Sequence, residues 1–137
     1  MTANEQGVLI DLDDTELMVA SPEQDVRGRP VVDRHGDEVG EVDGLMIDEE
    51  ERRVRFLQVG SGGVLGLGKK TRLIPVDAVT AVDDAVHVDT TVSAIAGGPE
   101  YDPDLVEAPP FEDYYNYYGV RPFWATGYLP PVWPPRV

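Results

Sequence analysis

Two carboxylates that follow an apolar run near the start of the chain are the first candidates for chemistry. Residues 8–10 are Val, Leu and Ile, and Asp11 and Asp13 come directly after them. Side chains two residues apart on an extended strand point to the same side, so both carboxylates would face one substrate. A carboxylate in this position can attack phosphorus while a second one transfers a proton and magnesium neutralises the charge. One hypothesis is therefore a magnesium-dependent phosphatase that uses Asp11 and Asp13.

The order of these residues resembles the first motif of the haloacid dehalogenase phosphatases, DxDxT, in which the first Asp is the nucleophile and the second a general acid/base. That fold needs a parallel sheet joined by crossover helices. Between Thr15 and Ser61 no segment keeps helical periodicity over the required length of about 10 to 12 residues, and Glu16 replaces a usually apolar residue. We therefore keep the phosphatase as the alternative and expect the runs 8–10 and 17–19 to dock as short strands on the main domain.

A glycine-rich segment is the second chemical candidate. Residues 63–69 match GxxxxGK, the start of a phosphate-binding loop, but Lys70 stands where Ser or Thr would hold magnesium. A proline also follows too soon for the helix whose N-terminus would face the phosphates. We therefore predict a loop that leads into a strand at 71–74, with Leu65 and Leu67 packed on the core or available as partner contacts.

Metal, thiol and cofactor chemistry have little support in the sequence. The chain has no cysteine, which excludes disulfides and thiolate catalysis. Its two histidines, His35 and His87, have no metal-ligand spacing to each other or to carboxylates. We expect His35 in a turn and His87 on the solvent face of a strand, and we predict no catalytic residue, no cofactor and no metal.

The charge of the chain limits the classes of molecule that it is expected to bind. The 137 residues contain 26 Asp and Glu against 11 Lys and Arg, for a formal net charge of -15. Binding to nucleic acid or to an anionic membrane depends on Lys and Arg, so both are disfavoured. No apolar run approaches the roughly 20 residues of a membrane span, and residues 1–7 lack the features of a signal peptide. We expect a cytoplasmic protein.

Alternating apolar residues predict the elements that position these side chains. Residues 38–47 alternate with a period near two, which is typical of a strand with one buried face. The turn 33–37 precedes this strand, and Gly36 supplies the positive φ of a hairpin. Residues 53–59 alternate again, with Val54 and Phe56 predicted on the side opposite to Arg53, Arg55 and Leu57.

The remaining predicted elements are short. With a strand at 25–32, the alternating segments form a three-stranded meander, and Pro30 places its strand at an edge or in a bulge. A short turn at 75–79, strands at 80–82 and 85–89 around a hairpin turn, and one helical turn at 91–96 complete the domain.

The order of these pieces resembles the PRC-barrel family over about 25–102. Members of that family include the cytoplasmic domain of the photosynthetic reaction-centre H subunit, the C-terminal domain of a ribosome maturation factor and small stand-alone proteins. The resemblance implies a small, strongly bent antiparallel β-barrel of five or six strands that docks onto other proteins and has no known catalytic residues. A further alternative that it implies is an accessory subunit of a membrane electron-transfer complex. The matching residues are Asp25, Val26, Gly28, Val31, Val32, Gly36, Val39, Gly40, Val42, Leu45, Ile47, Asp48, Val54, Leu57, the loop 65–70, Leu73, Ile74, Pro75, Pro99 and Tyr101.

Composition divides the chain into an acidic segment, 1–24, the barrel domain, 25–102, and a tail, 103–137. Beyond Gly98 lie all six tyrosines, both tryptophans and most of the prolines. Prolines exclude a long helix or central strand and favour turns and polyproline II. The tail aromatics either pack on the barrel of their own chain or of a sister subunit, or they form a recognition segment for another protein. Ligand or glycan stacking and disorder are the other options.

We predict a non-catalytic binding or scaffolding module that self-associates, as a dimer, and whose tail docks onto a protein partner. The identity of that partner stays open. Its candidate contacts are the loop residues named above and the large aromatic residues of the tail. These are Leu65, Leu67, Tyr114, Tyr115, Tyr117, Tyr118, Trp124 and Trp133.

Overall fold

The computed structural model describes residues 9–11, 25–48, 53–61, 70–101 and 111–129, the first of these ranges by its backbone only. Seven strands, two α-helices and one short 3-10 helix lie within these ranges. In chain order they are β1 (Leu9–Asp11), β2 (Pro30–Val32), β3 (Glu38–Asp48), β4 (Val54–Ser61), β5 (Lys70–Pro75), the 3-10 helix Val76–Ala78, β6 (Val79–Val82), β7 (Val86–Val88), α1 (Val92–Ala96) and α2 (Phe111–Tyr118).

The strands form one sheet in the order β5-β4-β3-β2-β7-β6, with β1 paired beside β3. Every ladder is antiparallel except the one between β2 and β7, which is parallel. The prediction of an all-β domain with a β2-β3-β4 meander is confirmed. The parallel ladder was not predicted. It joins two short strands that are distant in sequence, and it depends on where the β6-β7 hairpin packs in the sheet.

Strand β3 is the centre of the sheet because it is long enough to pair with three other strands. Its first part pairs with β2, where Glu41 is opposite Pro30, and its last part pairs with β1, where Asp48 is opposite Leu9. Strand β4 runs along its other edge. The predicted docking of the run 8–10 as a strand is confirmed for Leu9–Asp11, whereas the run 17–19 lies outside the described residues.

The turn between β2 and β3 anchors the start of the sheet. Gly36 has a φ of 85° in the β2-β3 turn, as predicted. The Asp33 carboxylate accepts hydrogen bonds from the backbone amides of His35 (2.8 Å), Asp37 (2.9 Å) and Val92 (3.1 Å), so it ties this turn to the start of α1. Strand β2 is not at an edge. The register shift between Val31 and Val32 places the extra residue, Val39, in β3 and not at Pro30, so neither predicted alternative holds. Pro30 is instead the first residue of β2, a position where a missing amide donor is tolerated.

Strand β4 departs from its predicted alternation at Arg55. Phe56 is opposite Met46 whereas Val54 is opposite Ile47, so Arg55 is an extra residue in β4. Such a bulge turns a side chain away from the regular pleat. The predicted separation of Val54 from Leu57 is wrong for this reason, because both side chains join the same hydrophobic cluster while Phe56 belongs to another.

The buried apolar residues form two clusters. The main core lies among β2 to β7 and the first helix. It consists mainly of aliphatic side chains such as Val31, Leu45 and Ile95. The second cluster, here the aromatic core, consists of Met46, Phe56, Leu73, Tyr114 and Tyr115. The strands thus supply three members of the aromatic core and α2 supplies the two tyrosines.

Candidate interaction site between the tail and the sheet

Helix α2 packs its two central tyrosines on Phe56. The Phe56 ring centre is 4.8 Å from that of Tyr115 and 6.0 Å from that of Tyr114, and it stacks on Phe111 at 5.7 Å. Pairs at these distances add about 0.5 to 1.5 kcal/mol each beyond the burial of their area. Neither tyrosine has any exposed surface. Phe56 of β4 is therefore the aromatic side chain of the sheet that contacts α2, and Met46 and Leu73 pack in the same cluster.

Two tyrosine hydroxyls fix the rotation of α2 against α1 and the residues that follow it. The Tyr114 hydroxyl donates to the carbonyl of Glu100 at 3.0 Å, and the Tyr117 hydroxyl donates to the carbonyl of Ala94. Burial raises the pKa of Tyr114 to about 12, so its hydroxyl keeps the proton that it donates throughout the neutral range. Burial likewise raises the pKa of Tyr118 to about 12. The Tyr114 hydroxyl therefore serves as a neutral hydrogen-bond donor and not as an acid or a base.

The bulged residue Arg55 forms a buried ion pair with Asp48. One guanidinium nitrogen is 3.1 Å from Oδ2 of Asp48, and the two side chains are 3% and 4% exposed. The guanidinium carbon also lies 4.2 Å from the centre of the Phe123 ring. A planar cation over an aromatic face is attracted by the ring, and more strongly when water is excluded. The bulge in β4 thus places the buried guanidinium of Arg55 against Phe123 of the tail.

A second polar contact joins the tail to the 3-10 helix. The Tyr128 hydroxyl donates to Oδ2 of Asp77 at 2.8 Å. Burial raises the pKa of Asp77, and the hydrogen bond from Tyr128 and the nearby charge of Arg55 only partly oppose this rise. Burial together with the Asp77 contact also raises the pKa of Tyr128. This arrangement can hold the tail in place, and it offers no activated nucleophile.

Comparison with known proteins places the sheet in a family. The sequence profile described as PRC-barrel domain matches residues 18–95, more than half of the chain. The chain belongs to the PRC-barrel domain family. PRC-barrel domains are generally non-catalytic modules, and the mostly-β sheet is consistent with this membership. No curated protein matches the chain.

The match of the PRC-barrel domain ends at residue 95, so the tail residues of this contact lie beyond it. Met46, Phe56 and Leu73 belong to the matched region, whereas their partners Tyr114 and Tyr115 do not. In this PRC-barrel protein the aromatic core is therefore shared between the family domain and a following segment.

The structure distributes the predicted partner contacts unevenly. Tyr114 and Tyr115 are completely buried against the sheet of their own chain, so neither presents surface to a partner in this arrangement. Tyr118 and Trp124 are partly buried beside the same clusters, and Tyr117 is 43% exposed. The remaining candidates lie outside the described residues. These are Leu65, Leu67 and Trp133.

The residues proposed for catalysis are not assembled into a phosphatase site in the described part of the PRC-barrel protein. Strand β1, which ends at Asp11, pairs antiparallel to β3, whereas the phosphatase fold places its nucleophile on a strand of a parallel sheet. Asp13 lies outside the described residues. The segment after Lys70 is a strand and not the helix of a phosphate-binding loop, as predicted.

The histidines have local roles. His35 is exposed in the β2-β3 turn, as predicted. His87 on β7 is partly exposed, and its Nε2 lies 3.0 Å from Oδ1 of Asp83 in the adjoining hairpin turn. Across the ranges that the structure describes, no three His, Asp or Glu side chains are grouped to hold a metal. No helix in those ranges is long and apolar enough to cross a membrane.

The sequence reasoning did not single out Arg55, Asp48, Asp77 or Tyr128 as interacting residues. Arg55 carried one signal, because an arginine between apolar residues of a strand needs a buried partner when both faces of that strand are covered. Coverage of the second face comes from α2, far along the chain. From the sequence alone, which does not show this coverage, Arg55 is interpreted as an ordinary surface residue.

Proposed function

We propose that this PRC-barrel protein is a non-catalytic protein-binding or scaffolding module that self-associates, with the tail as its docking element. The observation that carries the proposal is the contrast within one segment. Tyr114 and Tyr115 anchor residues 111–129 to the sheet, while Tyr117 is 43% and Leu129 85% exposed on the same segment. A segment that is anchored by buried side chains and also carries exposed apolar side chains is preorganised for binding, which reduces the entropy lost on association.

The negative net charge of the chain favours a basic or neutral protein as the partner of the surface outside the tail. The chain carries a net charge of -15, and exposed acidic side chains include Glu38, Glu41 and Asp84. Several basic side chains are already engaged within the chain, as Arg34 is with Asp89 at 3.3 Å and Lys70 with Glu100 at 3.0 Å. The proposed dimer would therefore form through the apolar tail side chains, because acidic surfaces repel each other.

Capture experiments with the full chain test the docking role. The chain has no cysteine, so a single introduced cysteine at the exposed position Glu38 allows specific biotinylation. The bait carries Leu129→Asp in one variant, here the tail variant, and Leu67→Asp in a second, because Leu129 is exposed. We expect a protein from lysate of the source organism that is retained by the wild type and lost from the tail variant. If the tail variant still retains this protein and the Leu67→Asp variant does not, the docking element is the glycine-rich loop and not the tail.

Light scattering over a range of protein concentrations tests self-association. We expect a dimer whose dissociation midpoint rises at least about tenfold in the tail variant, equivalent to about 1.4 kcal/mol. Glu41→Gln in β3 is the control, because it alters an exposed charge that is not part of the tail. A monomer at all concentrations would contradict the self-association part of the proposal and leave the capture result to decide the rest.

A further inference from the structure

The two strands at the ends of the order β5-β4-β3-β2-β7-β6 differ in how their outer edges are covered. Strand β5 is covered by the chain itself, because Glu100 forms a bridge with Arg72. The Tyr101 amide also donates to the carbonyl of Thr71 at 2.8 Å, and Lys70 pairs with Glu100 at 3.0 Å. Among the described residues, strand β6 pairs only with β7, so its other edge is open to a further strand.

The composition of β6 favours the addition of a strand. It consists of Val79, Thr80, Ala81 and Val82. Three of these residues are β-branched, and none is charged or a proline. Natural proteins commonly protect an open edge with lysine, proline or a covering segment. Thr80 is exposed and the two residues after it are half-buried, so this edge strand is accessible and suited to β-augmentation.

The hairpin that carries β6 is ordered before any partner binds. The Arg29 guanidinium donates to the carbonyl of Asp83 at 2.9 Å. The Asp83 carboxylate accepts from the Ala85 amide at 2.8 Å and lies 3.0 Å from Nε2 of His87. The Thr80 hydroxyl donates to the carbonyl of His87 at 3.3 Å and so fixes the extra residue of β6. An edge that is already ordered loses less entropy when another strand pairs with it.

Acidic residues at both ends of β6 determine which kind of strand fits. Asp83 and Asp84 are exposed directly after it, and Asp77 lies shortly before it. Antiparallel pairing of β6 with β6 of a second copy would place the Asp83–Asp84 end of each strand beside the Asp77 end of the other. Acidic groups that face each other repel, so this pairing is disfavoured. A strand with Lys or Arg beside Asp83 and Asp84 is complementary in charge.

We propose that the outer edge of β6 is a β-augmentation site for an extended segment of a partner protein that carries Lys or Arg beside Asp83 and Asp84. The segment adds a strand to the sheet through backbone hydrogen bonds, and its basic residues fix the direction. It runs antiparallel to β6, since antiparallel ladders are slightly more stable, so its basic residues are at its N-terminal end. This site is separate from the tail and does not depend on the docking role of the tail.

Synthetic peptides test the site on the full-length chain. The parent peptide has two lysines followed by alternating threonine and valine, and a second peptide has the lysines at the C-terminal end. Two further peptides are the parent with every second backbone amide N-methylated, in the two possible phases, so that each has one strand edge blocked. We expect the parent to bind and to protect β6 amides from hydrogen exchange. One methylated phase should bind at least about tenfold more weakly, and the other should bind like the parent.

Asp84→Lys should weaken binding of the parent peptide at least about threefold. Glu41→Lys is the matched control, because it makes the same charge change at an exposed acidic residue of β3, and it should change the affinity by less than about 1.5-fold. Both variants should keep the thermal midpoint of the wild type.

Equal binding of the two methylated phases would reduce the interaction to charge attraction and overturn the proposal. No detectable binding, an unchanged affinity in Asp84→Lys, or protection of all β6 amides in the peptide-free monomer would also overturn it. Protection of these amides that appears only as the protein concentration rises would assign the edge to a second copy and overturn the assignment to a partner. Tighter binding of the peptide with C-terminal lysines would overturn the antiparallel direction.

Discussion

Arg55 stacks on Phe123, with 4.2 Å between the guanidinium carbon and the ring centre, so a bulge in β4 is joined directly to the tail. The same guanidinium pairs with Asp48 at 3.1 Å, and both partners are almost fully buried. Removing one member of a buried pair leaves an uncompensated charge. This contact therefore connects the stability of the sheet to the placement of the tail.

Arg55→Ala should destabilise the protein by about 3 to 5 kcal/mol, because Asp48 would remain buried and charged without its partner. Chemical denaturation measures this free energy of unfolding. Phe123→Leu is the companion variant, and a double-mutant cycle with Arg55→Lys isolates the part of the contact that depends on the planar guanidinium, for which we expect about 0.5 to 1 kcal/mol. A coupling energy of zero in this cycle would show that the ring covers the guanidinium without a specific attraction between them.

The adjacent residues Tyr114 and Tyr115 allow a matched comparison. The Tyr114 hydroxyl donates to the Glu100 carbonyl, whereas the buried Tyr115 hydroxyl has no hydrogen-bond partner among the described residues. Tyr114→Phe should cost about 1 kcal/mol of unfolding free energy, and Tyr115→Phe should be neutral or slightly stabilising. Equal losses in both variants would indicate that the Tyr115 hydroxyl is hydrogen-bonded after all.

Asp77 predicts a distinctive pH dependence. Burial raises its pKa in the folded protein above the unfolded value, so its contribution to stability is fully present below the unfolded pKa and is lost as the pH rises through the folded pKa. Asp77→Asn mimics the protonated form and can still accept from Tyr128. At pH 7 the variant should melt at a higher temperature than the wild type, and this advantage should shrink as the pH falls through the raised pKa. An advantage that grows on acidification would contradict the burial argument.

Asp33 predicts the opposite dependence. Burial alone would raise its pKa, but the amides of Asp37, His35 and Val92 outweigh it and lower the pKa. Its contribution to stability is therefore present above the unfolded value, near 3.9, and is lost as the pH falls through the folded pKa. Asp33→Asn should lower the melting temperature at pH 7, with a difference that narrows in acid. Asp37→Asn, an exposed change in the same turn, is the control and should have little effect.

Phe56 should govern the burial of the tail. In a Trp133→Phe background, Trp124 is the one remaining tryptophan and reports on the tail through its emission. Phe56→Ala should cost about 3 to 5 kcal/mol and shift the emission of Trp124 towards that of indole in water. Phe56→Leu keeps most of the apolar volume and should cost less than about 1.5 kcal/mol. Unshifted emission in Phe56→Ala would show that the tail does not depend on the aromatic core.

Local patterns were sufficient for most of the sheet. Alternation located β3 and β4, and Asp33 and Gly36 marked the turn that precedes them, because strand pleat and turn geometry are set by neighbouring residues. The order of the short motifs then indicated the PRC-barrel family, which the match over residues 18–95 confirmed. The docking tail, the dimer and the cytoplasmic location remain predictions, since they concern molecules and surroundings beyond a single chain.

The sequence by itself thus determined the strands, the turn chemistry, the family and the abrupt change of composition in the tail. Only the tertiary structure decided which residues meet across long stretches of chain. Asp77 and Tyr128 are 51 residues apart and share one hydrogen bond. The bulge at Arg55 depends on a register shift against β3, and its burial depends on a tail that packs on the far face. Such contacts are fixed by how the elements assemble, and no local periodicity encodes them.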